Sequence, residues 1–231
     1  MKKLVIFDID GTLLHSNKAD SICFSKAFKT IFGFELPSLD WNHYPHTMDT
    51  AILDALFKEA GMPHPNEAEV EKFKDHYVAL LEEGRKVRPE GFMEVQGARQ
   101  IVEKLVADEN YAVGIGTGGF RKPAFVKLKH VGIDTTHLHM AFANGNYSRE
   151  DMVNESVSLA KAAHHDFEKI IYIGDGIWDV RTTRNLGIPF IGVRHKGDHQ
   201  ALHAEGAYHV ISDYLDQEEF IDLLKKAKVP Q

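Results

Sequence analysis

The feature that most constrains this chain is a short apolar run near its N-terminus that ends in two aspartates. Residues 4–7 (LVIF) are too few for a helix and are rich in strand-forming types, so they predict a strand buried on both faces, as in a parallel sheet. Asp8 and Asp10 follow at once, and Gly11 lets the chain turn sharply away. Because close carboxylates repel and are costly to bury, we expect a cation beside them. A hard divalent ion with oxygen ligands is the natural partner.

Hydrophobic periodicity divides the remaining chain into two parts. Between residues 16 and 88 it is helical, with predicted helices at 20–32, 49–60 and 66–83. From residue 91 onward, short apolar runs alternate with single helices, which is typical of βαβ units and predicts a parallel sheet. The strands predicted there cover residues 111–116, 140–143, 169–173, 189–193 and 208–211, and the helices cover 98–107, 123–130, 150–164, 178–185 and 216–227.

Three polar side chains each follow a predicted strand directly, although they are far apart in the chain. These residues are Asp8, Thr117 and Asp175. Ligands of such sheets bind beyond the carboxyl ends of the strands, so we expect the three side chains to meet at one edge. Asp179 lies one helical turn after Asp175 and faces the same way. The spacing therefore predicts a shared acidic site.

The residue types at this edge suit phosphoryl transfer. Asp8 is a candidate nucleophile that would form an aspartyl-phosphate, and Asp10 is placed to protonate the leaving oxygen and then to take a proton from water. The Thr117 hydroxyl and the amides of Gly118 and Gly119 are candidates to bind the phosphoryl oxygens. The predicted ligands of a Mg²⁺ ion are Asp8, Asp10, Asp175 and Asp179.

These motifs resemble those of the haloacid dehalogenase (HAD) superfamily over nearly the whole chain. The first motif matches Asp8, Asp10, Gly11 and Thr12, the second matches Thr117, and the fourth matches Gly174, Asp175 and Asp179. The resemblance implies a Rossmann-like core of residues 1–15 and 89–231, with an α-helical cap domain inserted at 16–88. It also implies a Mg²⁺-dependent phosphatase, since dehalogenases of the superfamily lack the second aspartate. Phosphoglycolate-phosphatase-like members match the layout best.

The third motif of the superfamily is where this chain departs from the pattern. A lysine is expected about two dozen residues before the fourth motif, and Arg149 occupies that place. Lys122 and Lys161 are rivals, the first close to the second motif and the second deep in a predicted helix. We predict that Arg149 is catalytic and that its guanidinium lies within salt-bridge reach of Asp8 or Asp175.

Composition narrows the class of partner. The net charge of −7 argues against general nucleic-acid binding. Neither a membrane-spanning apolar run nor a signal segment is visible, so no membrane partner is expected. Cys23 is the single cysteine, which excludes an internal disulfide and favours a reducing, cytoplasmic location.

Two patterns leave alternatives open. Fourteen histidines, including His195, His199 and His203 at a spacing of four, fit either a zinc site or surface positions, and the absence of cysteine partners favours the surface. A polar cluster in the helical block fits either a solvated loop or the substrate-reading edge of the cap, and we favour the second. Its members are Asn42, His43, His46, Thr47 and Asp49.

The chain is therefore expected to be a Mg²⁺-dependent phosphohydrolase that acts on a small phosphorylated metabolite, because a closing cap encloses little volume. Two alternatives remain. A phosphomutase of the same superfamily shares all these motifs, and a non-catalytic binding or regulatory protein can use the same fold.

Overall fold

The computed structural model describes residues 1–44, 46–195 and 198–231 of the chain, with the side chain of Asn42 also outside the description. The strands are β1 (Lys3–Phe7), β2 (Leu14–His15), β3 (Met93–Glu94), β4 (Tyr111–Gly116), β5 (His139–Ala141), β6 (Lys169–Gly174), β7 (Phe190–Val193) and β8 (Val210–Ile211). The α-helices are α1 (Asn17–Phe32), α2 (Asp49–Glu59), α3 (Glu67–Val87), α4 (Ala98–Ala107), α5 (Arg121–His130), α6 (Arg149–His164), α7 (Ile177–Leu186), α8 (Gln200–Ala204) and α9 (Gln217–Lys226).

Six of the strands form a parallel sheet in the order β5-β4-β1-β6-β7-β8. β1 lies near its centre, and Phe7 is in register with Ile115 of β4 on one side and Ile173 of β6 on the other. The three strands therefore end at the same level. The α/β fold with a parallel sheet, predicted from the alternation of strands and helices, is confirmed.

The sheet is covered by helices on both faces, and β1 shows why. Leu4 and Ile6 pack into one apolar cluster, Val5 and Phe7 pack into the other, and all four are fully buried. Helices α6 and α7 contribute to the first cluster, while α4, α5 and α9 contribute to the second. A strand with apolar residues on both sides is what such a layered arrangement requires.

Between β2 and β3 the described chain forms helices α1, α2 and α3 and a short 3₁₀ turn at Trp41–His43. Their aromatic side chains pack edge to face, and Phe24 lies 5.1 Å from Phe73 between ring centroids. These rings belong to the same apolar cluster as Leu4 and Ile6 of the sheet. The helical block thus shares one continuous apolar cluster with that face of the sheet.

The sequence places most of these elements within a few residues of their observed ends, with two kinds of exception. The helix predicted at 66–83 is longer in the structure, where α3 continues to Val87. Gly84 lies inside it, with Phe92 and Cys23 at 3.4 and 3.7 Å from its Cβ position. The short elements β2, β3 and α8 were not predicted, since runs of two to five residues show no clear period. No helix in the described residues is both long and apolar enough to cross a membrane.

Candidate active site

The carboxyl ends of β1 and β6 bring three buried aspartates together. One carboxylate oxygen from each of Asp8, Asp175 and Asp179 lies within 4.8 Å of the other two. The Asp8 amide donates to the Ile173 carbonyl at 2.9 Å, which continues the sheet ladder into the site. Among the described residues this group contains no histidine. The carboxylate cluster predicted from the strand ends therefore exists, and the histidine pattern adds nothing to it.

The electrostatics of this cluster favour a bound cation. Burial, together with the negative charge of Asp179, raises the pKa of Asp8 well above its usual range, although Arg149 opposes this. Burial and Asp179 likewise raise the pKa of Asp175 to about 7. The Oδ1 atom of Asp175 is buried and has no hydrogen-bond partner among the described atoms. A hard divalent cation would supply that partner and offset the repulsion, so these residues fit Mg²⁺.

Gly11 makes the close approach of these groups possible. Its φ of +80° is a left-handed conformation, and a Cβ there would overlap the Asp175 carboxylate. The other oxygen of Asp175 accepts a hydrogen bond from the Asn17 side chain at 2.9 Å. A glycine is therefore required at position 11 for both backbone and steric reasons.

Arg149 lies at the N-terminus of α6 with its guanidinium buried against the acidic cluster. Its Nη2 atom forms an ion pair with Asp179 and lies 4.0 Å from Asp8 Oδ2. The same nitrogen donates to the Tyr172 hydroxyl at 3.1 Å, and Nη1 donates to the Thr47 carbonyl at 3.1 Å. The guanidinium is thus within the predicted reach of Asp8, while its catalytic role stays a prediction.

The two rival lysines lie elsewhere. Lys122 pairs with Glu71 and Asp75 of α3 at the surface, and Lys161 pairs with Asp166 at 3.0 Å. Neither is placed beside the acidic cluster.

Asp10 points away from the three-aspartate cluster. One of its oxygens accepts a hydrogen bond from Ser16 Oγ, and the other forms an ion pair with Lys127. Asp10 is absent from the metal-competent group found among the described residues. Its assignment as a metal ligand therefore stays a prediction, whereas its place beside Asp8 at the end of β1 suits the acid–base role.

The loop after β4 carries the residues predicted to bind the phosphoryl oxygens, Thr117, Gly118 and Gly119. The Thr117 hydroxyl accepts a hydrogen bond from the Gly119 amide at 3.2 Å, and the Gly118 carbonyl accepts one from the Asp49 amide at 2.8 Å. A Cβ at Gly118 would overlap the Thr47 carbonyl and lie 2.7 Å from Arg149 Nη1. The predicted phosphate-binding loop is therefore in direct contact with the start of α2.

A cavity of about 90 Å³ separates these groups from the helical block. From the core it is lined by Asp8, Asp10, Thr117, Gly118, Gly119, Arg149 and Trp178, and from the helical block by Asn17, Asp20, Ser21, Phe24, Trp41, Thr47, Asp49 and Ile52. Of the polar cluster predicted to read the substrate, Thr47 and Asp49 thus reach the cavity. His43 and His46 are exposed and are not among the lining residues described, and the Asn42 side chain lies outside the described residues.

A family model for haloacid dehalogenase-like hydrolases matches residues 5–193 of the sequence. The chain belongs to this family. The match spans the strands and helices that carry all the residues of the acidic cluster, which confirms the resemblance inferred from the motifs.

Solved structures show the same fold over almost the full length of this HAD-like hydrolase. A hydrolase from Pseudomonas syringae superposes with a TM-score of 0.70 at 24% identity, covering 94% of this chain and 97% of that chain. A β-phosphoglucomutase from Clostridium difficile gives 0.70 at 18% identity, covering 98% of each. A protein described as a predicted phosphoglycolate phosphatase from Haemophilus somnus gives 0.61 at 16% identity, covering 95% and 98%. No curated protein matches the sequence.

The sequence analysis missed one buried charge in the site of this HAD-like hydrolase. Lys127 of α5 is 1% exposed, pairs with Asp10 and bonds Asp20 of α1 at 2.8 Å. A signal was present, because Lys127 is one turn beyond Ala124 on the face of α5 that also buries Leu128. A lysine on an apolar helix face indicates a buried partner.

Proposed function

We propose that this HAD-like hydrolase is a Mg²⁺-dependent phosphatase that cleaves a small phosphomonoester through an aspartyl-phosphate on Asp8. The observation that carries the proposal is the cluster of Asp8, Asp175 and Asp179, which includes a buried carboxylate oxygen without a partner and lies beside the Arg149 guanidinium. Such an arrangement is suited to hold an anion and a cation together at one nucleophile.

In the first step an Asp8 carboxylate oxygen attacks the phosphorus atom. A bond forms between that oxygen and phosphorus, and the bond from phosphorus to the leaving oxygen breaks. Asp10 donates a proton to the leaving oxygen, which departs as an alcohol. Arg149 is placed 4.0 Å from Asp8 to stabilise the negative charge on the phosphoryl oxygens.

In the second step water attacks the phosphorus of the aspartyl-phosphate. Asp10, now ionised, accepts a proton from this water, the bond from Asp8 to phosphorus breaks, and inorganic phosphate leaves. Asp8, Asp175 and Asp179 would hold the Mg²⁺ ion, which when bound supplies positive charge that offsets the carboxylates and the phosphate. Asp179 is itself fixed by the Gly176 amide at 2.9 Å and by Arg149.

The size of the cavity supports a small leaving group. A space of about 90 Å³ holds little beyond a phosphoryl group and a few heavy atoms. Its outer wall is formed by the helical block, with the rings of Phe24 and Trp41 beside the carboxyls of Asp20 and Asp49. We therefore propose a small phosphorylated metabolite as the substrate and residues 16–88 as the cap that encloses it.

A generic aryl phosphate, assayed with Mg²⁺ and with EDTA, tests this function. We expect phosphate release that requires Mg²⁺, and a subsequent screen of small phosphate esters should find a preferred substrate. Absence of turnover with every ester, in the presence of Mg²⁺ and Mn²⁺, would instead favour a non-catalytic binding role.

A phosphomutase is the second candidate, because a β-phosphoglucomutase from Clostridium difficile shares the fold over 98% of both chains. Its reaction would return the phosphoryl group to a sugar phosphate rather than to water. Product analysis by ³¹P NMR with a hexose 1-phosphate separates the two. Release of inorganic phosphate supports the phosphatase, and an isomeric sugar phosphate supports the mutase.

A further inference from the structure

Lys127 joins three separate segments of the chain at one buried point. Its ammonium group contacts Asp10 in the loop after β1 and Asp20 of α1 at 2.8 Å, while Lys127 itself belongs to α5. Its side chain is 1% exposed, and those of Asp10 and Asp20 are 21% and 19% exposed. Burial raises the pKa of the Asp20 carboxyl, whereas the Tyr77 hydroxyl, which lies near that carboxyl, lowers it.

Stability alone does not account for a buried lysine at this position. Removing an ammonium group from water is costly, and well-packed apolar residues often stabilise a core as well as an ion pair does. An ion pair at the surface already joins α5 to the helical block, so a buried lysine is not needed for that connection. Lys122, five residues earlier on the same helix, bonds Glu71 and Asp75 of α3 at 2.9 and 2.5 Å while about half exposed.

The buried bridge differs from the surface bridge in what it holds. One oxygen of the Asp10 carboxylate is bonded by Ser16 and the other by Lys127, so rotation of the carboxylate about its own axis is restrained. Each carboxylate oxygen has a second lone pair, and Asp10 lines the cavity beside Asp8. The free lone pairs are therefore available to a substrate oxygen or a water there.

We propose that Lys127 is a positioning residue that fixes the Asp10 carboxyl for proton transfer, and that Asp20 of α1 fixes Lys127 in turn. This inference rests on the proposed phosphatase function. It assigns a role to two residues that lie outside the motifs, and it ties the proton-transfer group to the first helix of the insertion through one ammonium group.

The test uses the dependence of catalysis on the leaving group. A general acid matters for a poor leaving group, such as the alcohol of an alkyl phosphate, and little for 2,4-dinitrophenolate. The value of kcat/KM reports the first step, in which Asp10 acts only as acid. We expect Lys127→Met to lower kcat/KM for an alkyl phosphate by about 100-fold or more and to leave the dinitrophenyl ester within about fivefold.

Lys127→Met leaves Asp20 buried without its partner, so a second variant guards against loss of folding. Lys127→Met/Asp20→Asn removes both charges, and Tyr77 remains beside the new amide. Its selective loss with the alkyl ester should match that of the single variant. Lys122→Met is the matched control on the same helix and should hydrolyse both esters as the wild-type chain does.

Equal losses with both esters in the double variant would make Lys127 a structural residue and overturn the inference. If the wild-type chain hydrolyses neither ester, the proposed function fails instead. A crystal structure of the double variant then decides the inference separately. The inference requires the Asp10 carboxylate of the double variant to be displaced or disordered, and an unchanged carboxylate would refute the inference.

Discussion

Two buried cations lie in the candidate site, and they are held in different ways. Arg149 has three different kinds of partner, because it pairs with Asp179 and donates to the Tyr172 hydroxyl and to the Thr47 carbonyl. Lys127 is held by two carboxylates from different segments, Asp10 and Asp20. The difference suggests two tasks. In the proposed mechanism Arg149 places positive charge near the nucleophile, whereas Lys127 positions the Asp10 carboxyl.

The largest loss of activity is expected when Asp8, the candidate nucleophile, is replaced. Asp8→Asn keeps the shape of the side chain but cannot form the acyl phosphate, so turnover should fall roughly 10³-fold or more for every ester. Stopped assays with the aryl and alkyl phosphates check this. Asp54→Asn, at a partly exposed position on α2, should behave like the wild-type chain. An Asp8→Asn protein within tenfold of wild type would rule out the covalent mechanism.

Removing the positive charge of Arg149 should have the next largest effect on turnover. Arg149→Ala should lower kcat by about 100-fold or more for both alkyl and activated esters, because charge stabilisation at the phosphoryl group does not depend on the leaving group. Arg149→Lys should recover part of this loss, since one ammonium group cannot reach all the partners of the guanidinium fork.

The control for Arg149 is Arg181→Ala on α7, whose guanidinium is about half exposed and pairs with Glu205 at the surface. It should retain normal turnover. A leaving-group-dependent loss in Arg149→Ala would mean that the two cations share one task, and the comparison would not hold.

Two adjacent glycines face the two cations and sharpen the contrast. A Cβ at Gly118 would lie 2.7 Å from Arg149 Nη1, whereas one at Gly119 would lie 3.8 Å from Lys127 Nζ, an ordinary contact. The Cβ at position 118 would also overlap the Thr47 carbonyl oxygen, so Gly118→Ala should lower kcat/KM about tenfold or more by displacing both Thr47 and the arginine. Gly119→Ala keeps the backbone amide and should lower kcat/KM less than Gly118→Ala does. The reverse order of the two effects would show that the Lys127 side is the more tightly packed.

The smallest expected effect is on the thermal stability of the chain, through Asp49, a carboxyl on which the charge of Lys127 acts. Burial, reinforced by the charge of Asp20, raises the pKa of Asp49 from 3.8 to about 8. The folded chain then binds a proton more tightly at this residue than the unfolded chain does, so its contribution to stability falls as pH rises between these values. Asp49→Asn removes this dependence, and its amide oxygen can still accept the bond from Phe120 N.

Thermal melting in EDTA checks this prediction. Asp49→Asn should melt above the wild-type chain at pH 8, by about 2 °C or more, and the difference should shrink at pH 5. Asp54→Asn on the same helix is the matched control. A difference that grows toward low pH would contradict the sign of the effect.

A site residue can be predicted from the sequence when a strand end fixes its position, and it cannot when packing between distant segments fixes it. Asp8, Thr117 and Asp175 are predictable because each follows a strand, and parallel strands end at one edge whatever packs around them. Arg149 is predicted through the family resemblance, which places a cation about two dozen residues before the fourth motif. Lys127 is not, because its partners Asp10 and Asp20 lie more than a hundred residues away and only the packing of α5 and α1 brings them together.

The same distinction applies to the fold. Helices α4 and α6 are visible in the sequence because their buried residues recur at helical spacing, and β4 is visible as an unbroken buried run of six residues. The pairing of β2 with β3 is not, because two residues per strand carry no period and the partners are separated by the whole helical block.

That small ribbon has a consequence for how such a chain can diverge. Leu14 lies opposite Glu94 and His15 opposite Met93, so the polypeptide leaves the sheet and returns to it at neighbouring points. The pairing of β2 with β3 holds together the two ends of the segment between them. That segment can be lengthened, trimmed or exchanged at little entropic cost, because loop closure depends only weakly on length. New recognition surfaces can then be acquired, provided that the contacts of Asp20 with Lys127 and of Thr47 with Arg149 are kept.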